Sequence, residues 1–186
     1  MKAIDSNLLV YASLSDHPAV DACEEHIAAH PTWVCNIANL IEMRHVLVSV
    51  YGLAAHDADA KFADFRAAVI VAALTPSLAE AAVVLRREHG VDFNDAVLME
   101  TCRQRGVTAL ATDDRQLAAA CRSFGITPES PIDDGLRAQM RDWEDRNLPA
   151  KGLPRVLLQC HRWIGRRDSD LAAEFYTATQ ALSRLV

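Results

Sequence analysis

The chain has 186 residues, 51% of them hydrophobic, and a net charge of −6. That length and apolar content suit one domain with a sizeable core plus an appendage, and no run reaches the ~18 apolar residues of a membrane span. The negative charge argues against broad adhesion to nucleic acid, and it is uneven: residues 1–133 carry 10 Lys+Arg against 18 Asp+Glu, whereas residues 134–186 carry 9 against 7.

Taken in order, residues 2–10 read as a strand in which Ala3 and Ile4 precede the acidic Asp5. Pro18 opens a helix that runs to about His30, with proline at the first helical position. Residues 32–35 form a short strand. Residues 39–51 form a helix with Leu40, Ile41, Val46, Leu47 and Val50 as its apolar face and Glu42 in its first turn; Gly52 ends it. A helix over 58–68 and a buried strand over 69–74 follow. Thr75 caps a helix over 77–89, stopped by Gly90. In the next helix Asp95, Ala96, Leu98, Met99 and Cys102 recur at helical spacing until Gly106. Residues 108–111 are a short buried strand that ends in Thr112, Asp113 and Asp114. A helix over 115–123 and a last strand at Ile126 and Thr127 complete this part.

Helices alternating with short apolar strands imply an α/β fold, a central parallel sheet covered by helices on both faces. The pattern changes near Pro131. Residues 136–147, 155–164 and 168–186 read as helices, with 149–154 as a linker. The expected division is therefore a body over 1–132 and a helical C-terminal extension over 133–186. The extension's large apolar groups, Trp143, Leu157, Leu158, Trp163, Leu171, Phe175, Tyr176 and Leu185, should pack on the body, on a second copy or in a partner's groove. The cysteines at 23, 35, 102, 121 and 160 are odd in number and lack CxxC spacing, as reduced core thiols do. An acid at position 5 does not suit a signal peptide, so the expected location is cytoplasmic.

Four acids, Asp5, Glu42, Asp95 and Asp114, lie beside apolar residues at the ends of elements, with Asp113 next to the last. Carboxyl ends of strands in an open α/β sheet are where ligands bind. Each acid alone has a structural alternative: Asp5 as a turn residue, Glu42 as a partner of the helix dipole, Asp95, Asp113 or Asp114 as helix caps. Together they repel one another and call for a hard cation. Mg²⁺ or Mn²⁺ held there can bind a phosphate and activate water, and can bridge an acidic body to a polyanion. Asp92, three residues before Asp95, could sit at the rim of such a site, although a loop cap accounts for it better. Arg44, Arg86, Arg87, Arg103 and Arg105 could touch phosphates, although a solvated helix face accounts for most of them. No histidine spacing marks a zinc hydrolase, and neither GxSxG nor GxxxxGK[ST] is present.

These motifs resemble those of PIN-domain ribonucleases, the kind found as VapC-type toxins of toxin–antitoxin pairs. The family's strand ending in Asp-Thr-Asn corresponds to Asp5-Ser6-Asn7; its helical Glu in xxExxxVL to Glu42 with Val46 and Leu47; its Asp-Ala helix start to Asp95-Ala96; and its Thr-x-Asp to Thr112-Asp113-Asp114. The resemblance covers residues 1 to about 132. It implies a three-layer PIN fold and cleavage of RNA phosphodiester bonds without a covalent enzyme intermediate. It also implies that Asp5, Glu42, Asp95 and Asp114 hold one or two Mg²⁺ or Mn²⁺ ions, with Asn7 and Thr112 steadying the site. The Thr-x-Asp pattern selects Asp114 as fourth ligand, while the count from Asp95 favours Asp113, so both stand as candidates. An antitoxin protein and a homodimer, paired through the helices at 39–51 and 58–68, are the implied partners. Two other readings compete: a catalytically silent PIN-fold binding module, and a HAD-like magnesium phosphatase. The phosphatase needs a proton-donating Asp where Asn7 stands.

Overall fold

Five parallel strands form one sheet in the order β3-β2-β1-β4-β5: β1 (Lys2–Ile4), β2 (Trp33–Asn36), β3 (Ile70–Ala72), β4 (Ala109–Ala111) and β5 (Thr127–Glu129). The structure is a computed structural model and describes residues 1–148 and 155–183; the expected linker at 149–154 and the last three residues lie outside them. The first strand made is the central one. Ala3 lies opposite Val34 on one side and Leu110 on the other. The chain builds outward through β2 to β3, then returns across the sheet to β4. The order therefore reverses beside β1, and a crevice opens at the carboxyl ends of β1 and β4.

Helices connect the strands: α1 (Ser6–Tyr11) and α2 (Val20–Ala28), α3 (Ile37–Ser49) and α4 (Ala55–Ala68), α5 (Pro76–His89) and α6 (Phe93–Arg105), and α7 (Arg115–Ser123). Helix α6 is central, and every residue from Ala96 to Cys102 is buried. Its polar members are accounted for. Glu100 accepts from Arg103 and Gln104, and Thr101 accepts from Asn36 while donating to the Val97 carbonyl. Leu98 and Met99 are fully buried, as is Leu110 of β4; they join Val91, Leu117 and Cys121 in one apolar core.

Several boundaries differ from the sequence expectations. The first strand stops at Ile4, and residues 6–11 are helix, because the extended Asp5 caps them through the Ser6 N–H. Helix α2 begins at Val20 after a turn, and α4 begins at Ala55. Helix α3 begins at Ile37, capped reciprocally by Asn36 and Asn39. Glu42 consequently lies in its second turn. The buried face of α3 is Leu40, Met43 and Leu47, whereas Ile41 and Val50 are exposed. Four cysteines are buried as expected, but Cys160 is exposed.

The chain divides into two units, Met1–Ala138 and Gln139–Val186. Helix α8 (Asp134–Asn147) spans the division; α9 (Arg155–Gly165) and α10 (Ser169–Ser183) belong to the second unit. Within that unit α9 packs on α10, where the His161 ring contacts Phe175 and Tyr176. Arg167 lies 4.0 Å over the Trp163 ring. Trp163 and Leu171 remain exposed. No helix among the described residues is long and apolar enough to cross a membrane.

Candidate functional site

The crevice at the reversal of strand order is a cavity of about 220 Å³. It is lined by the carboxylates of Asp5, Glu42, Asp92, Asp95 and Asp114, by Ser6 and Asn7, and by Val10, Tyr11, Val46 and Tyr51. The acids arrive from separate elements: Asp5 from the end of β1, Glu42 from α3, Asp92 and Asp95 from the start of α6, and Asp114 from the turn after β4. No Lys or Arg lines the cavity among the described residues.

Short hydrogen bonds hold these carboxylates. Thr112 Oγ1 donates to Asp5 Oδ2 at 2.7 Å, while it accepts from the Asp114 N–H at 3.0 Å and from Asn7 Nδ2 at 3.4 Å. The Ser6 hydroxyl donates to Glu42 Oε2 at 2.9 Å, with Asp5 Oδ1 3.2 Å away. Asp114 Oδ1 accepts from the Gln116 and Leu117 N–H groups at 2.6 and 2.8 Å, which caps α7. Asp114 thus has both of the roles that its sequence position allowed, helix cap and cavity wall. Asp92 precedes α6, but its side chain makes no capping bond and lines the cavity instead. Asp95 follows as the third residue of that helix.

Asp113 is placed differently from its neighbour. Its carboxylate lies 2.6 Å from Arg137 Nη2, with only 9% of the side chain exposed, and its carbonyl accepts from Arg137 Nη1. Burial raises its pKa and the guanidinium lowers it, burial being the larger effect. Among the arginines considered as phosphate contacts, Arg44 pairs with Asp59 and Arg103 with Glu100.

The acidic wall carries uncompensated charge. Asp95 is pushed up to about 8, first by burial and then by repulsion from Asp5, Asp114 and Glu42. Asp5, 3% exposed, is pushed up to about 6, chiefly by burial, with the Thr112 hydrogen bond opposing and Glu42 reinforcing the rise. Asn7 Oδ1 is buried and has no hydrogen-bond partner. An all-oxygen donor set with excess negative charge and an unused carbonyl oxygen fits a hard divalent cation by its chemistry. Among the described residues, no three acidic, histidine or cysteine side chains are already drawn together around one point.

The family model described as "PIN domain" matches residues 2–123, the stretch that carries Asp5, Glu42, Asp95 and Asp114. The chain belongs to the PIN-domain family. The match also removes the HAD-like reading. Solved structures that resemble this PIN domain include Mycobacterium tuberculosis VapC20, described as a sarcin-ricin-loop cleaving toxin (21% identity, TM-score 0.57, covering 64% of this chain and 95% of that one). A toxin–antitoxin complex from Klebsiella pneumoniae aligns at 16% identity and TM-score 0.56, covering 72% and 99% of the two chains. VapBC2 from Rickettsia felis, bound to a DNA fragment from its promoter, aligns at 15% identity and TM-score 0.52, covering 69% and 97%. No curated protein matches the sequence. At these identities the likenesses establish the fold, and the alignments span nearly the whole length of those chains.

Tyr11, Tyr51 and Ser6 are cavity residues that sequence reasoning did not single out. Tyr11 closes a segment that reads as a strand, and Tyr51 follows the end of α3, so only the folded sheet brings them together. Ser6 could have been found through its motif position, where its hydroxyl keeps the donor that a threonine has.

Proposed function

We propose that the chain is a Mg²⁺- or Mn²⁺-dependent endoribonuclease, the toxin of a toxin–antitoxin pair. The observation that carries this reading is the convergence of Asp5, Glu42, Asp95 and Asp114 on one cavity that no basic side chain neutralises. Family membership and the VapC structures named above support it. Asp5, Glu42, Asp95 and Asp114 hold one or two ions, with Asp113 set aside by its pairing to Arg137. When bound, the cation supplies positive charge for the scissile phosphate and activates a water for in-line attack.

The protein's own residues prepare that site. Thr112 and Ser6 donate to Asp5 and Glu42 and fix their orientation. Asn7 braces Thr112, and its buried carbonyl oxygen has no hydrogen-bond partner. The buried sheet end keeps bulk water from the inner carboxylates, so the electrostatic attraction for a cation is strong. The chain acts in the cytoplasm, as a homodimer, and is restrained by an antitoxin protein; VapBC2 and the Klebsiella complex are toxin–antitoxin assemblies on this fold.

The test is cleavage of single-stranded RNA by purified protein with Mn²⁺, with Mg²⁺ and with EDTA. Cleavage that requires the metal supports the reading. Full activity in EDTA removes the metal-dependent chemistry, and no cleavage with either metal leaves the silent PIN-fold module.

A further inference from the structure

The cavity has two chemically unlike kinds of lining. Besides the acids it is lined by two tyrosines that come from distant parts of the chain, Tyr11 at the end of α1 and Tyr51 after α3. Both meet one buried histidine. The His17 ring, 3% exposed, stacks on Tyr11 at 4.9 Å between centroids and 3° between planes. Tyr51 meets the same imidazole edge-on, at 6.0 Å and 89°. Three rings from three segments thus form one braced unit, and its two half-buried members reach the cavity. Rings packed on one another before any ligand arrives lower the ordering cost of binding.

Charge makes the tyrosines matter. Proteins that bind single strands obtain affinity from cationic phosphate contacts and from stacking of bases on aromatic rings. Among the described residues no Lys or Arg lines the cavity, and residues 1–133 are acidic, so the first source is weak close to the site. Stacking does not depend on charge. The apolar Val10 and Val46 beside the tyrosines suit the flat face of a base and suit a phosphate poorly.

Resting on the ribonuclease reading above, we propose that Tyr11 and Tyr51, braced by His17, form a nucleobase subsite that seats the base next to the scissile phosphate. The tyrosines hold the strand by stacking, and the carboxylate wall addresses the phosphate.

The experiment uses the full-length protein and a short single-stranded RNA whose cleavage position has been mapped with Mn²⁺. An abasic ribose is placed on either side of the cleaved bond, and KM and kcat are compared for wild type, Tyr11→Leu, Tyr11→Phe, Tyr51→Leu and Tyr51→Phe. The expected result is a rise in KM of about tenfold from one of the two abasic placements, with kcat little changed. At least one leucine variant should show the same rise with intact RNA, and no further rise with the abasic RNA. The matching phenylalanine variant should bind as wild type does. Unchanged KM for both abasic RNAs, or phenylalanine variants as impaired as the leucine variants, overturns the subsite. A second arm needs no turnover: RNA carrying 2-aminopurine at successive positions is titrated with each protein. Fluorescence quenched at one position by wild type and by the phenylalanine variants, but not by the leucine variants, supports stacking, and equal signals from all five proteins overturn it. Protein that quenches without cleaving RNA in any metal would separate loss of the nuclease reading from loss of the subsite.

Discussion

Arg137 Nη2 lies 2.6 Å from Asp113 Oδ1, and Arg137 Nη1 donates to the backbone carbonyl of the same residue at 3.3 Å. One side chain from α8, beyond the residues matched by the family model, therefore grips both the carboxylate and the main chain of the turn that carries Asp114. With that turn fixed, Asp114 lines the cavity and Asp113 does not. Replacing Arg137 by Met leaves a nearly buried carboxylate without its cation, which costs about 3 kcal/mol. Replacing Asp113 by Asn in the Met variant should recover part of that loss. Urea denaturation of the two single variants and the double variant measures the coupling. Additive losses would mean that the pair does not act as a unit.

Asp95→Asn should abolish metal-dependent cleavage, while the metal-free protein stays as stable as wild type or gains stability, because one of several mutual repulsions is removed. A metal that binds only the folded chain raises its melting temperature by mass action, and this rise should shrink in the variant. Asp5→Asn should behave alike. Thermal melts with EDTA and with Mn²⁺, run beside the cleavage assay, check both effects. A variant that cleaves as wild type does would exclude a catalytic carboxylate at that position.

The two roles of Asp114 can be separated. Asp114→Asn keeps an oxygen able to accept from the Gln116 and Leu117 N–H groups but loses the charge. Asp114→Ala loses both. The asparagine variant should therefore lose Mn²⁺-induced stabilisation while keeping its unfolding midpoint in EDTA. The alanine variant should also lose about 1 kcal/mol of stability from the missing cap. Equal stabilities of the two variants in EDTA would argue against the cap.

Metal-free stability should fall as pH rises. The folded-state pKa values of Asp95 and Asp5 lie at about 8 and about 6, above the ordinary carboxylate value near 4. Between these limits the folded chain retains protons that the unfolded chain has released, so stability declines with increasing pH. The stabilising contribution is complete below about pH 4 and is lost by about pH 8. In EDTA the melting temperature should drop across this window. Asp95→Asn should flatten the drop, most clearly between pH 6 and 8, where Asp95 titrates in the folded chain. A slope that Asp95→Asn leaves intact would assign the titration to other groups.

The proposed homodimer predicts a sedimenting mass near twice the 20.4 kDa of the chain at micromolar concentration. The exposed Ile41 of α3 makes Ile41→Glu a useful comparison. If the dimer uses this helix face, the variant should sediment as a monomer with an unchanged melting profile. A single 20 kDa species for wild type would remove the dimer.

Most of the sheet was legible in the sequence because β2, β3 and β4 are short apolar runs, and because the helices between them have clear stops such as Gly90 and Gly106; β5, Thr127–Glu129, is not apolar and lies one to two residues beyond the strand expected at Ile126 and Thr127. Helix α1 was not. Its Leu8, Leu9 and Val10 continue the apolar run of β1, and the break depends on the extended backbone and capping carboxylate of Asp5. The apolar face of α3 was misjudged for a related reason: Ile41 and Val50 are as hydrophobic as Leu40 and Leu47, and only the packing of α3 separates them. The four acids stood out because each follows or precedes an apolar stretch. Adjacent Asp113 and Asp114 could not be told apart, since the residue that distinguishes them, Arg137, lies more than 20 positions further on. The rings of Tyr11, His17 and Tyr51 meet only after α1 and α3 have packed together.

The central position of β1 has a consequence for how the protein is made. Asp5 leaves the ribosome well before β4 and the turn that carries Thr112 and Asp114, which follow more than 100 residues later. Throughout that interval the nascent chain has a first carboxylate with no fourth one and no Thr112 to orient it. The proposed cleavage therefore cannot begin before β4 has emerged and paired with β1.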